Sequence, residues 1–141
     1  MDKRLSIVTL GVGDLARSTA FYEALGWKKS SASQEMISFF QLKGVVLGLF
    51  SRASLAHDAG IEDTGKGFSG ITLAHTVSSE AEVDAAFQHA LTCGASAIKT
   101  PQNVFWGGYS SYFADPDGHL WEVAFNPFVP MDDQGHLVLP D

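Results

Sequence analysis

Hydrophobic positions in the first half of the chain form short runs on either side of one helical segment. Residues 5–12 predict a strand. Asp14 then stands where a helix N-cap is expected, the helix is predicted over 15–25, and Gly26 provides the stop. Two more strands, which form a hairpin, are predicted over residues 36–42 and 45–50.

The second half of the chain repeats this order of elements. Residues 70–77 predict a strand, and Ser79 with Glu82 forms a capping box at the start of a helix. A short strand over 95–99 and a break over 100–103 are predicted to follow. The apolar residues of the helix recur at helical spacing and are Val83, Ala86, Phe87, Ala90 and Leu91.

Each half is therefore predicted to have the order β-α-β-β-β, which places the chain in the α+β class. The segment Val8-Thr9-Leu10 corresponds to Ile71-Thr72-Leu73 in this repeat. A helix covers one face of each predicted sheet and leaves the other face open. The two open faces could enclose a shared central cavity that binds a ligand. The alternative is a filled core without a cavity.

The chain ends its second half with a strand, a tight turn and another strand. Asp115-Pro116-Asp117-Gly118 has the residues that such a turn requires. In the strand that follows, Glu122 shares a face with Leu120 and Ala124, so its carboxylate lies among apolar residues. A charge in that position is costly unless it is paired, bound to a metal or open to a wet cavity. Glu122 is therefore the candidate catalytic residue.

Three roles are open for the Glu122 carboxylate. It could be a metal ligand, or it could accept a proton or hydrogen bond from a bound ligand. The third role is structural, with a hydrogen bond from a neighbouring side chain. The neighbours predicted to donate that bond are Tyr109, Ser111 and Thr72.

Aromatic residues provide the candidates for ligand binding. Trp106 and Tyr109 flank the pair Gly107-Gly108 and could form a stacking wall at a cavity mouth. The alternative is ordinary core packing with a bulge at the glycines. The weaker candidates lie on strands expected to flank the cavity, where core packing is the competing role. The remaining ligand-binding candidates are Phe39, Gln41, Phe50 and Thr72.

Composition restricts the class of protein. The 141 residues suffice for one domain with a core, and no apolar run approaches the roughly 20 residues of a membrane helix. The N-terminus has no signal-peptide pattern, so a cytoplasmic location is expected. The single Cys93 excludes an internal disulfide. A net charge of −7 without clustered Lys or Arg argues against nucleic-acid binding.

The stretches at 12–27 and 113–123 resemble the vicinal oxygen chelate superfamily. Its members include glyoxalase I, extradiol dioxygenases and bleomycin-resistance proteins. The resemblance implies two βαβββ modules that form a partly open, glyoxalase-like barrel around a central cavity, and a homodimer. The expected organisation of this single domain is a first module over about 5–50, a linker loop over 51–67, a second module over about 68–126, and a C-terminal tail over 127–141.

The resemblance also implies where a metal site would lie, since the metal enzymes of the superfamily place ligands at four inward-facing strand positions. These positions fall here at or near Ile7, Gly48, Gly70 and Glu122. Only Glu122 has a side chain that can bind a metal, and a catalytic metal generally needs about three protein ligands. No cofactor is therefore expected. A divalent metal remains the alternative, and it would need a replacement ligand such as His57, because His75 is predicted to face away.

The sequence and the resemblance together predict a protein that binds a small aromatic or hydrophobic molecule without a complete metal site, as the bleomycin-resistance type does. The alternative is a glyoxalase-related lyase or isomerase, or a dioxygenase, that depends on a metal or uses Glu122 as a general base. A third possibility is an interaction module. The expected partner is a small molecule, with no nucleic acid and no membrane.

Overall fold

The computed structural model describes residues 7–58, 62–65, 67–69 and 71–138. It is a mixed α+β structure in two compact units, residues 1–69 and 70–141. Its elements in chain order are β1 (Ile7–Val12), α1 (Leu15–Ala24), β2 (Ile37–Gln41), β3 (Val46–Ser51), α2 (Arg52–Asp58), β4 (Leu73–Thr76), α3 (Glu80–Thr92), β5 (Ser96–Asn103), β6 (Tyr109–Ala114) and β7 (Leu120–Phe125).

The sheet of the first unit has the strand order β1-β3-β2. β1 runs parallel to β3, and β2 runs antiparallel to it. The Asp14 carboxylate starts α1, because it accepts a hydrogen bond from the Arg17 backbone N–H at 3.0 Å. Beyond the edge of β2, Lys29 forms a single bridge with Phe40.

Aromatic side chains pack between α1 and one face of this sheet. Tyr22 and Phe40 are fully buried, and the Tyr22 ring stacks on Trp27 with centroids 5.4 Å apart. A hydrogen bond of 2.8 Å between the hydroxyls of Thr19 and Ser38 joins helix and sheet inside this layer. The opposite face of the sheet, which α1 does not cover, is called the open face below.

The sheet of the second unit has the order β4-β7-β6-β5 and repeats the arrangement of the first. Its first strand, β4, is again parallel to its last, β7, and β6 again pairs antiparallel with β7. The Ser79 hydroxyl caps α3, which buries Val83 and Phe87. Val123 of β7 is also buried, so α3 covers one face of the sheet and leaves an open face here as well.

The structure confirms the α+β class and the glyoxalase-like fold, and it corrects three details. Residues 52–58 were expected to belong to a loop but form α2. The Ser54 backbone N–H donates a hydrogen bond of 3.1 Å to the Ser51 hydroxyl at the start of this helix. A β-α-β-β-β order was expected in the first half. Its second strand is reduced to the Lys29 bridge, because residues 31–36 turn back onto β2 instead of running beside it.

The third correction concerns β5, which was expected to end at residue 99 before a break. It continues through Thr100 and Pro101 to Asn103, with two register shifts against β6. β5 is the edge strand of its sheet, and a proline is tolerated there because its missing N–H removes no essential ladder bond. Residues 5–6 and 70 of the predicted strands lie outside the described part of the chain.

The tail contains a second copy of the turn that joins β6 to β7. In the first copy, the Asp115 carboxylate accepts hydrogen bonds from the backbone N–H groups of Asp117 and His119, each at 2.9 Å. In the tail, the Asp132 carboxylate accepts the corresponding bonds from residues 134 and 136 at 2.9 Å. None of the described helices is long and apolar enough to cross a membrane.

Candidate functional site

Glu122 lies in the middle of β7, on the open face of the second sheet. Its side chain is half-buried, and its Oε1 atom accepts a hydrogen bond of 2.7 Å from the Ser110 hydroxyl. Ser110 lies on the neighbouring strand β6 and is 1% exposed. The serine thus fixes the carboxylate, and strand alternation gives Glu122 the apolar neighbours Leu120 and Ala124 on its own strand.

Tyr112 is the direct cross-strand partner of Glu122. Burial of the phenol, and then the nearby Glu122 carboxylate, raise the pKa of Tyr112 above its ordinary value of 10.0. The Thr72 hydroxyl also interacts with the Tyr112 hydroxyl and lowers that pKa in part. Tyr112 therefore keeps its proton at neutral pH and can donate a hydrogen bond.

Small side chains surround this pair on the open face. Ala74 of β4 pairs with Glu122, and Ala124 pairs with Ser110. Ala114 pairs with Leu120 at the next position along the two strands. Since alanine covers little of the surface around it, the Glu122 carboxylate and the Tyr112 ring are the largest groups at the centre of this face.

The structure brings together only part of the predicted set around Glu122. Thr72 lies next to Tyr112 and within the same cluster, whereas Tyr109 and Ser111 lie on the opposite face of β6. The Tyr109 hydroxyl donates to Asp84 of α3 at 2.9 Å, and the Ser111 hydroxyl donates to the Val123 carbonyl at 3.3 Å. Both were expected as donors to Glu122, and that expectation is wrong. Residue 112 pairs with residue 122, so the even-numbered residues of β6 share the face of Glu122 and the odd-numbered residues lie on the other face.

Trp106 lies in the loop between β5 and β6 and folds over the adjacent glycine. Its ring occupies the space that a Cβ atom at Gly108 would need, and the Phe125 carbonyl oxygen is 2.7 Å from the same point. Residue 108 must therefore be glycine if Trp106 keeps this position. Phe105, by contrast, is fully exposed. The ligand-binding roles of Trp106 and Tyr109 stay predictions.

The predicted residues of the first half lie together on the open face of the first sheet. Phe39 pairs with Gly48, Gln41 pairs with Val46, and Phe50 pairs with Gly11, so the three side chains share one face. Their ligand-binding roles also stay predictions. A separate groove of about 660 Å³ lies in the same unit between α1 and residues 29–38, and none of the predicted site residues lines it.

A metal ion does not fit the donors around Glu122. Its neighbours are the hydroxyls of Ser110, Tyr112 and Thr72, and hydroxyls do not replace the imidazole and carboxylate ligands of a catalytic metal. His75 pairs with Val123 and so faces away from Glu122. Within the described ranges, no three His, Cys, Asp or Glu side chains lie close enough to hold a metal ion. The position at Gly70 lies outside those ranges.

A family model matches most of the chain. The model of the Glyoxalase/Bleomycin resistance protein/Dioxygenase superfamily aligns with residues 4–123. The chain belongs to this superfamily. The vicinal oxygen chelate resemblance is therefore confirmed at the level of the superfamily, whose members differ in chemistry, so the site itself must indicate the function.

Solved structures share the fold over 86–99% of this chain. A glyoxalase-related enzyme from Fulvimarina pelagi is 34% identical, with 99% of each chain covered and a TM-score of 0.88. A protein from Agrobacterium tumefaciens solved by NMR is 31% identical over 87% of this chain and 96% of its own, with a TM-score of 0.70. A glyoxalase/bleomycin resistance protein/dioxygenase family enzyme from Burkholderia phytofirmans is 20% identical over 86% and 98%, with a TM-score of 0.75, and shows the fold alone.

Curated relatives match over a shorter region. An uncharacterised protein of Mycobacterium bovis is 37% identical over 61 residues, which is 43% of this chain and 38% of that protein. An uncharacterised protein of Mycobacterium tuberculosis is 37% identical over the same length, which is 34% of that protein. The match thus spans little more than a third of the relatives' own length.

Two members of the cluster were missed in the sequence, namely Ser110 and Tyr112. A signal for both was present, because the five residues 115–119 between Ala114 and Leu120 fix the pairing of the two strands. Two residues before Ala114 and two residues after Leu120, Tyr112 stands opposite Glu122. Ser110 then lies on the same face of the sheet as Tyr112 and Glu122. The strand register could therefore be predicted from the sequence. The expected donors Tyr109 and Ser111 lie on the opposite face of β6.

Proposed function

We propose that this superfamily member binds a small aromatic or hydrophobic molecule with a hydrogen-bond donor, and that Glu122 accepts that donor without a complete metal site. The observation that carries the proposal is the Glu122 carboxylate itself. Ser110 supplies a hydrogen bond to Oε1, the Tyr112 phenol adjoins the carboxylate on β6, and alanines occupy other neighbouring positions of this face. An ionised carboxylate can accept about four hydrogen bonds, so Glu122 keeps capacity for a ligand.

The geometry also favours a flat, apolar body for the ligand. The Tyr112 ring adjoins Glu122, and Leu120 lies on the same face, so an aromatic ring bound there would contact apolar carbon. A bound N–H or O–H group would then lie against the carboxylate. Charge-assisted hydrogen bonds of this kind are stronger than neutral ones, which makes Glu122 the main determinant of affinity.

Calorimetric titration with 4-methylbenzylamine tests the proposal. The probe has one ring and one cationic donor, and for a molecule of this size a Kd of the order of millimolar is expected. Glu122→Gln keeps the shape of the side chain but removes its charge, so it should weaken binding about tenfold. Glu62→Gln, an exposed carboxylate in the first unit, is the matched control and should bind like the wild type. Equal affinities of wild type and Glu122→Gln would overturn the proposal.

A second candidate function rests on the pairing of Glu122 with Tyr112. A carboxylate beside a phenol that keeps its proton offers a base and an acid in one place, as proton abstraction next to a carbonyl group requires. In this alternative the chain is a glyoxalase-related isomerase that works without a metal. Isomerisation of the hemithioacetal of methylglyoxal and glutathione by metal-stripped protein, lost in Glu122→Gln, would favour it over binding alone.

The proposal extends to the state and location of the protein. We propose a homodimer, on the resemblance to the bleomycin-resistance type, and a cytoplasmic location, as the default for a chain of ordinary globular composition. Sedimentation equilibrium would distinguish a dimer from a monomer of 15.1 kDa.

A further inference from the structure

A lysine lies in the same cross-strand row as Glu122. Glu122 of β7 pairs with Ala74 of β4 on one side and with Tyr112 of β6 on the other. Tyr112 pairs in turn with Lys99 of β5. Residues directly opposite each other in an antiparallel pair point to the same face. Lys99 therefore belongs to the open face, with Tyr112 between it and the carboxylate.

The edge strand is irregular on both sides of this lysine. The register of β5 against β6 shifts between Ala97 and Lys99, and again between Lys99 and Gln102. Bulges of this kind re-aim a side chain and are common next to binding sites. Ala97, two residues earlier, pairs with Phe113 on the α3 side. Without the first shift, strand alternation would put Lys99 on that side as well.

Lys99 differs from an ordinary edge-strand lysine. Edge strands often have exposed lysines that discourage pairing with other chains. This edge does reach solvent, because the adjacent Ile98 is 57% exposed. Lys99 is half-buried, and the ion pairs found among the described residues do not include it. Its ammonium group is thus available to an anion.

The spacing of the two charges restricts the ligand. Two inter-strand steps separate Lys99 from Glu122, which places their backbones about 10 Å apart. The two side chains project from the same face, with the Tyr112 ring between their strands. One aromatic ring with a substituent at each end spans such a gap.

We infer that Lys99 is an anion anchor and that the ligand of this site is an aromatic molecule with an anionic group at one end and a hydrogen-bond donor at the other. This inference rests on the proposed function, because it takes Glu122 as the acceptor of the donor. Lys99 fixes the orientation of the ligand, since exchange of the two ends would put like charges together. Tyr112 supplies the surface between the two charges.

Three matched probes test the two ends separately. 4-(Aminomethyl)benzoate has both groups, 4-methylbenzylamine has only the donor, and 4-methylbenzoate has only the anion. Each is titrated into wild type, Lys99→Met and Glu122→Gln, with Lys28→Met as the matched control for loss of an exposed lysine. Circular dichroism of each variant confirms that it is folded.

The expected result is a crossed pattern. Lys99→Met should weaken 4-(aminomethyl)benzoate and 4-methylbenzoate about tenfold and leave 4-methylbenzylamine unchanged. Glu122→Gln should weaken 4-(aminomethyl)benzoate and 4-methylbenzylamine and leave 4-methylbenzoate unchanged or tighter. Lys99→Arg should retain most of the affinity for both anionic probes, because a cation remains at the same position.

The outcomes separate this inference from the proposed function. If Glu122→Gln weakens 4-methylbenzylamine while Lys99→Met changes neither anionic probe, the anion anchor is wrong and the proposed function stands. If Glu122→Gln has no effect on either amine, the proposed function fails and this inference fails with it. Binding of 4-(aminomethyl)benzoate no tighter than that of the two single-ended probes in wild type also overturns the inference.

Discussion

The two units share one strand arrangement but differ at the centre of their open faces. In the first unit the central row is Thr9, Gly48 and Phe39, and in the second it is Ala74, Glu122 and Tyr112. A Cβ atom at Gly48 would lie 3.2 Å from the Thr9 hydroxyl and 3.4 Å from the Phe39 ring, so neighbouring side chains already close the space above the glycine. The same topology thus presents a closed, uncharged row in one unit and a carboxylate in the other.

The edges of the two sheets differ in a related way. In the second unit β5 pairs along β6 and contributes Lys99 to the open face. In the first unit the equivalent strand is a single bridge, and the Ser33 hydroxyl accepts the Phe39 backbone N–H at 2.9 Å where a strand would otherwise pair. Because an unpaired edge invites association, this local closure protects the first sheet. Its bridging residue, Lys29, pairs with Phe40 on the α1 side and not on the open face. Glu122 and Lys99, the charged residues of the proposed site, both belong to the second unit.

The largest loss of stability is expected when a carboxylate is placed in the first unit. Gly48→Glu would push Phe39 aside and put a charge where the row is closed, so we expect a loss of about 3 kcal/mol in the free energy of unfolding. Gly48→Ala, which adds only the tight Cβ contact, should cost about 1 kcal/mol. Urea unfolding measures both. A Glu variant as stable as the Ala variant would show that the first open face is as accommodating as the second.

The next largest effect concerns the hydrogen bond to Glu122. Ser110→Ala removes the 2.7 Å bond to the carboxylate and should cost about 1 kcal/mol. In a double-mutant cycle with Glu122→Ala, the loss in the double variant should be smaller than the sum of the two single losses, because each single change removes the same bond. Ser38→Ala breaks the buried bond to Thr19 in the first unit and should cost a similar amount without any coupling to Glu122. Additive losses for Ser110 and Glu122 would contradict the geometry of the site.

A smaller effect is expected at alkaline pH. Burial and the Glu122 carboxylate raise the pKa of Tyr112, so the folded protein holds that proton more tightly than the unfolded chain does. The contribution to stability is complete below pH 10.0 and is lost as pH rises through the folded pKa. Wild type should therefore lose stability more steeply above pH 10.0 than Tyr112→Phe. Denaturant midpoints measured across that range test this, and parallel curves would contradict it.

The smallest effect is expected in the first unit at acid pH. Asp63 accepts two hydrogen bonds from Arg52, at 2.7 and 3.2 Å, and the guanidinium lowers the pKa of that carboxyl. The contribution is present above the ordinary value of 3.8 and is lost as pH falls through the lowered pKa. Asp63→Asn should remove that part of the acid dependence while ligand binding at the second unit stays unchanged. Acid unfolding followed by circular dichroism measures it, and an unchanged acid midpoint would contradict the pairing.

Much of the fold could be predicted because local signals agreed with one another. Asp14 and Ser79 mark the starts of two helices, and the Asp115 turn marks the closing hairpin, since each side chain bonds a nearby backbone N–H. The helix α2 could not be predicted in the same way. Its seven residues have no buried stripe, and the Arg52 pair with Asp63 that accompanies it joins residues eleven positions apart.

The candidate site was predicted only in part, for a reason that concerns register. Glu122 stood out because a charge among apolar strand residues is unusual. Its true partners lie on another strand, so finding them requires the pairing of Tyr112 with Glu122 rather than proximity in sequence. Lys99 was still harder to predict, because the bulges in β5 override simple alternation.

Backbone amide NMR of the protein titrated with 4-methylbenzylamine shows directly which face binds the ligand. The largest shifts are predicted on β6 and β7 around Ser110, Tyr112 and Glu122, and Glu122→Gln should reduce them severalfold at the same probe concentration. The largest shifts around Phe39 and Gly48 in the first unit, or around Tyr109 on the α3 side, would contradict the claim that the Glu122 face binds the ligand.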